Sequence, residues 1–173
     1  MSFSGPEHVT DVPTLEAIYR LRAAVWRETG DIAQAAFADG SWSDDHDAAS
    51  MHWVVRAGDE LVAAARLSIH DHLDDVPEAE QYTAVGLRLE GRIAAPARVV
   101  VASAARRHGL ASQLLDTQDA AARDAGCAFA VRQSSPAMSR LLERRGWRGH
   151  GPAGIDERFP GVRFDVMVLE LAS

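Results

Sequence analysis

Residues 106–112 read Arg-Arg-His-Gly-Leu-Ala-Ser and lead directly into an amphipathic run that continues to Gly126. Backbone N–H groups at the start of a helix have no intrahelical partner and sit at the positive end of the helix dipole. A tight loop in front of such a start can close them around an anion such as a pyrophosphate, provided small residues let the anion reach the backbone. Gly109 and Ala111 are small, Arg106, Arg107 and His108 bring polar and cationic side chains to the rim, and Leu110 and Ser112 fill out the first turn. The rival reading is a plain surface helix start whose arginines are incidental.

Other residue types suggest proton transfer. Glu90, His70 and His72 are the candidate general bases, and an unperturbed imidazole near pKa ~6.5 accepts a proton at neutral pH without tuning. The strand face carrying Arg66, Ser68 and His70 reads alternatively as a solvated or hydrogen-bonded edge. "DDHD" at 44–47 and "HDH" at 70–72 contain metal-ligand types, but acidic loops are usually just solvated, and no metal is expected. Cys127 reads as a small core residue. Trp26, Trp42, Trp53 and Trp147 read as core or rim aromatics, one of which could line an acceptor pocket. "GHGPAG" at 149–154 has the glycine spacing of a dinucleotide loop, but Pro152 interrupts it and no helix follows, so it reads as an ordinary loop.

The elements that must position these groups follow from periodicity. Leu15, Ile18, Leu21 and Val25 recur at helical spacing from Pro13 to about Thr29, and Gly30 ends the run. "DIAQAAFADG" reads as a second short helix closed by Gly40, followed by an acidic loop. Two strands over 51–71 turn at Ala57-Gly58-Asp59-Glu60. In the second, Leu61, Ala63, Ala65, Leu67 and Ile69 form the core face. Residues 71–91 read as a loop with a helical turn. The strand "ARVVVAS" delivers the 106–112 loop, and "CAFAVRQ" forms another buried strand. Ser135 and Pro136 start a helix that Gly146 ends, and "VRFDVMVLEL" closes as a strand buried on both faces, offering an edge for pairing a second copy. The order is helix, helix, strand, strand, strand, helix, strand, helix, strand, a single α/β domain over residues 1–173.

Composition narrows the partners. A net charge of −7 argues against nucleic acid, although it suits attraction of a cationic amine. All eighteen basic residues are arginine, so no lysine can complete a Walker-type phosphate loop. No apolar run approaches the ~18 residues of a membrane span. The first residues lack the pattern of a secretory signal, and one cysteine suits a reducing cytoplasm.

With strand, loop and helix in place, Arg106-x-x-Gly109-x-Ala111 resembles the acetyl-coenzyme A signature of the GNAT-type N-acetyltransferases. "SSPAMSRLLERRGW" resembles their second cofactor motif, and "LRAAVW", "DDHDAASMHWVV" and "ELVAAARL" resemble their N-terminal half. The resemblance implies a mostly antiparallel mixed sheet with a central splayed parallel strand pair, here 98–103 and 127–133, and helices on both faces. It implies acetyl-CoA as cosubstrate, with its pantetheine arm along Val99 and Val101 and its pyrophosphate on Arg106, Arg107, His108, Gly109, Leu110, Ala111 and Ser112. Ser135, where the family often has asparagine, would lie beside it. The acetyl group would pass directly to an amine of a small molecule or peptide, with a base removing the amine proton and a backbone N–H facing the oxyanion. One departure stands out: the family's usual acid is a tyrosine four residues before the glycine, and this chain has Leu142 there, beside Leu141. Tyr82, Ser134 and Ser135 are the alternative acids. A catalytically impaired acyl-CoA-binding sensor is the other reading that Leu142 leaves open.

Overall fold

Asp11 accepts a hydrogen bond from the Thr14 N–H at 2.9 Å and starts α1 (Val12–Thr29), while Gly30, at φ +74°, ends it in the left-handed conformation that glycine adopts most readily. The computed structural model describes residues 2–171. After β1 (Ser4–Val9) and α1 the chain forms β2 (Met51–Ala57), β3 (Glu60–His70), a short α2 (Ala79–Ala84) and β4 (Ile93–Val101). Then follow α3 (Leu110–Asp124), β5 (Phe129–Ser134), α4 (Pro136–Glu143), β6 (Arg148–Pro152) and β7 (Asp165–Glu170). One seven-stranded sheet results, in the order β1-β2-β3-β4-β5-β7-β6. All its pairs are antiparallel except β4 with β5.

That parallel pair is the feature that makes a site. Its register holds only at Ile93↔Phe129 and Ala94↔Ala130, and beyond Ala94 the two strands part. Pro96, with no N–H to give to a ladder, lies two residues past the last pair. On its other side β4 pairs with β3 through a bulge: Arg66 faces Ala97, yet Ala64 faces Val100. Arg98, at φ +57°, is part of that bulge, which re-aims its side chain.

Helices cover both faces. Ile18 and Val25 of α1 pack on Val54, Ala64 and Val100, while Leu114 and Leu115 of α3 pack on Ala63, Ala65 and Leu67. The hairpin, α1, the helix capped by Ser135 and the buried closing strand all stand where periodicity puts them.

Four expectations need correction. Residues 31–40 form turns and no helix, held by the Ala33 N–H on the Arg158 carbonyl at 2.8 Å and by Phe37 in an aromatic cluster. Of the two alternatives for the Arg66–Ser68 face of β3, the solvated one falls and the hydrogen-bonded one fits: Arg66 pairs with Asp44 and Asp47, Ser68 Oγ lies 2.8 Å from His70 Nε2, and Arg66 and Ser68 are 2% and 5% exposed. The "GHGPAG" loop begins as strand β6, and Ser4–Val9, unassigned from sequence, is also a strand. Both are edge strands with mostly exposed side chains, so they carry no apolar alternation to read. Consequently β7 lies inside the sheet, and the edges are β1 and β6. Among the described residues no helix is long and apolar enough to cross a membrane.

Candidate active site

Arg107 and Gly109 both take positive φ, +65° and +76°, and this tight path turns the chain from β4 into α3. Among the described residues no side chain caps that helix, so the N–H groups of its first turn are left for a ligand. A Cβ built on Gly109 would meet nothing within 4 Å, so the space above the loop is open. The resulting groove, about 430 Å³, is lined by Val99, Val101, Arg106, Arg107, Gly109, Leu110, Ala111 and Ser112, with Val25, Trp26 and Met138 across from them. An elongated anion with an apolar arm fits this chemistry: donors and arginines at one end, valines along β4. The Arg106 Nε donates to the Val101 carbonyl at 3.3 Å, which ties the rim cation to the strand.

Two expected groove residues lie elsewhere. His108 turns away, its Nδ1 2.9 Å from the Arg106 carbonyl and its ring edge-on to Phe3. Ser135 caps α4 by accepting from the Met138 N–H at 3.4 Å, and it lines a second cavity.

That second cavity, about 280 Å³, lies in the splay between β4 and β5 and under the 41–50 loop. Trp26, Val99 and Met138 line it as well as the groove, so the two spaces meet at those three residues. Its aromatic wall is Trp42, Phe159 and Phe164, with Tyr82 opposite. The lining also carries the charged residues Asp44, Arg66, Glu78, Arg98, Arg132, Asp156 and Arg158, together with His46.

Most of those charges are paired. The Arg22 Nη1 donates to Asp47 Oδ1 at 2.8 Å, Arg66 Nη1 reaches the same oxygen at 3.1 Å and Asp44 Oδ1 at 2.6 Å, and Arg98 Nη2 reaches Asp44 Oδ2 at 2.9 Å. This chain of ion pairs ties α1, the 41–50 loop, β3 and the β4 bulge together. The Arg98 guanidinium also lies 4.0 Å from the Trp42 ring centroid. Burial alone would raise the Asp44 and Asp47 carboxyls, but the arginines beside them outweigh it and hold both below the usual range. Burial pushes Arg98 down to about 10, leaving it cationic at neutral pH. His52 is buried next to the network, its Nε2 2.9 Å from the Asp47 carbonyl oxygen, and burial lowers its pKa.

The "DDHD" loop therefore uses the buried Asp47 and the half-buried Asp44 to hold arginines. From its residues alone the loop reads as solvated, and Arg22 carries no motif. The available signal was position: Ile18, Arg22 and Val25 fall on one helix stripe, so an arginine sits where the apolar face should continue.

The expected bases are not brought to this junction. Glu90 and His72 are exposed, and His70 is hydrogen-bonded to Ser68 Oγ at 2.8 Å; none of the three lines either space. Among the described residues, His46 is the one imidazole on the cavity wall. Tyr82, Ser134 and Ser135 do line it, and burial raises the Tyr82 phenol well above its usual value. Leu142 is completely buried and packs in the main core, while Met138, one helical turn earlier, faces the junction. Leu142→Tyr should therefore overpack the core at a cost of about 1–3 kcal/mol, read as a lower Tm, without raising turnover.

The fold is shared with solved structures. FeeM, an N-acyl amino acid synthase from uncultured soil microbes, superposes with a TM-score of 0.71 at 11% identity, over 95% of this chain and 89% of that one. BjaI, a CoA-dependent acyl-homoserine lactone synthase, gives 0.73 at 16% identity, over 95% and 82%. A putative N-acetyltransferase from Lactobacillus plantarum gives 0.67 at 21% identity, over 99% and 98%. At these identities the likeness is one of fold. No curated protein sequence matches the chain. The family described as Acetyltransferase (GNAT) family matches residues 15–147. That span runs from inside α1 past the end of α4 and takes in the loop, the splay and the junction, so the chain belongs to the GNAT acetyltransferase family.

Proposed function

We propose that this acyltransferase moves an acetyl group from acetyl-CoA directly to the amine of a small molecule or peptide. One observation carries the reading: a groove suited to a pyrophosphate and its apolar arm meets a separate charged cavity at Trp26, Val99 and Met138. Acyl-CoA supplies an activated thioester when bound. The first-turn N–H groups of α3, with Arg106 and Arg107, hold its phosphates, and the β4 valines line its arm. Trp26 and Met138 line the junction. The amine proton needs an acceptor, and the carboxylates of Asp44 and Asp156 are poor ones because arginines hold them ionised and low. His46 is the residue we assign to take that proton on a ring nitrogen. FeeM, named as an N-acyl amino acid synthase, and BjaI, named as a CoA-dependent acyl-homoserine lactone synthase, support a small-molecule acceptor.

The test is thiol release from acetyl-CoA with a panel of amines, alongside calorimetric binding of acetyl-CoA. Micromolar binding with amine-dependent release is expected. His46→Gln should lower kcat about a hundredfold while acetyl-CoA affinity holds. Binding without release for any amine would favour the sensor reading, and absence of binding would overturn both.

A further inference from the structure

We infer that Arg132 and Ser134 form a carboxylate-binding subsite in the transfer cavity, so that one of the two reactants carries a carboxylate. The inference rests on the acyltransferase reading above. Arg132 and Ser134 are two residues apart on β5 and so project from the same face of the strand. Both line the cavity. They are buried, at 6% and 2% exposure, yet the Nε and Nη1 of Arg132 and the Oγ of Ser134 have no hydrogen-bond partner among the described residues.

The charge balance of the cavity points the same way. Arg66 and Arg98 are paired with Asp44, and Arg158 is paired with Asp156 and Glu78. Of the four arginines on the wall, Arg132 alone makes no ion pair among the described residues. The other unpartnered wall atoms, Trp42 Nε1, Arg66 Nε and Arg98 Nε, are donors too. A cavity with spare donors and one spare positive charge selects an acceptor-rich anion, and the guanidinium fork matches a carboxylate in size and geometry. Burying an unpaired guanidinium is costly, and burial pushes Arg132 down to about 10. A bound carboxylate would offset that cost.

The carboxylate has two sources, the acceptor (an amino acid or similar amine) or the far end of a dicarboxylic acyl group. Calorimetry with the full chain separates them. One arm compares N-acetyl derivatives of alanine, phenylalanine and aspartate with their C-terminal amides, each in the presence of CoA. The other compares succinyl-CoA with butyryl-CoA. In one arm the acid should bind at least about tenfold more tightly than its neutral twin, and Arg132→Met should erase that preference while acetyl-CoA affinity stays unchanged. The arm that responds names the source. Because the free cavity leaves Arg132 unpaired, Arg132→Met should also hold or raise the Tm of the ligand-free protein. If neither arm discriminates, or the preference survives Arg132→Met, the subsite is overturned while the transferase reading stands. A Tm fall of several degrees would make Arg132 structural and overturn it as well. Failure of every acyl-CoA to bind overturns the transferase reading, and the subsite with it.

Discussion

Arg106→Ala combined with Gly109→Glu should weaken acetyl-CoA binding by about a thousandfold or beyond detection, a loss of about 4 kcal/mol by calorimetry. The groove needs positive potential at its rim and bare backbone at the α3 N-terminus. Both would go at once. The glutamate side chain enters the open space above Gly109, where a phosphate would lie, and brings like charge to it. Strain is the competing explanation, since Gly109 sits at φ +76° and any L side chain there is disfavoured. Gly109→Ala carries the same strain without charge and with little bulk. It should therefore cost stability while losing far less affinity than the double change. Equal loss in both variants would mean that loop geometry, and not the phosphate grip, was disturbed.

Asp47→Asn should lower stability by about 3–5 kcal/mol, because it leaves Arg22 and Arg66 buried against a neutral amide. For a chain of this size that is a Tm drop of about 10 °C. Asp71→Asn, which breaks the exposed Arg92 pair, should move Tm by about 1 °C at most. The pH dependence follows from sign. Asp44 and Asp47 have folded values below the unfolded one, near 3.9, so their stabilisation is fully present above about pH 4–5 and is lost as pH falls through the folded values. Thermal melts of the natural protein should hold to about that pH and then decline steeply, with a shallower acid limb in Asp47→Asn. Parallel limbs in the two proteins would place the acid sensitivity elsewhere. Acceptor KM should rise in Asp47→Asn as well, since Arg66 and, through Asp44, Arg98 on the cavity wall hang from this network.

Local chemistry made much of this molecule legible from its residues. The hairpin at Gly58, the helix ended by Gly30, the helix started at Ser135, and the loop with glycine at position 109 are set by requirements within a few residues: a positive φ, a capping oxygen, a period of two or 3.6. The start of α3 that we propose holds the phosphates belongs to this class, because its donors are the backbone of one turn. What tertiary structure decided is the role of side chains whose partners are far along the chain. Arg22, Asp44, Asp47, Arg66 and Arg98 meet across four elements, and alone each looks like a solvated charge. The bulge at Arg98, the choice of Met138 over Leu142 for the junction and the interior place of β7 depend on strand register and order. A one-residue shift in register sends a side chain to the opposite face of a sheet, so no local pattern settles which side chain reaches the cavity. Arg132 is the sharpest case. Within "CAFAVRQ" it looks like one polar residue in an apolar strand, and only the parting of β4 from β5 leaves it buried, cationic and without an ion-pair partner among the described residues.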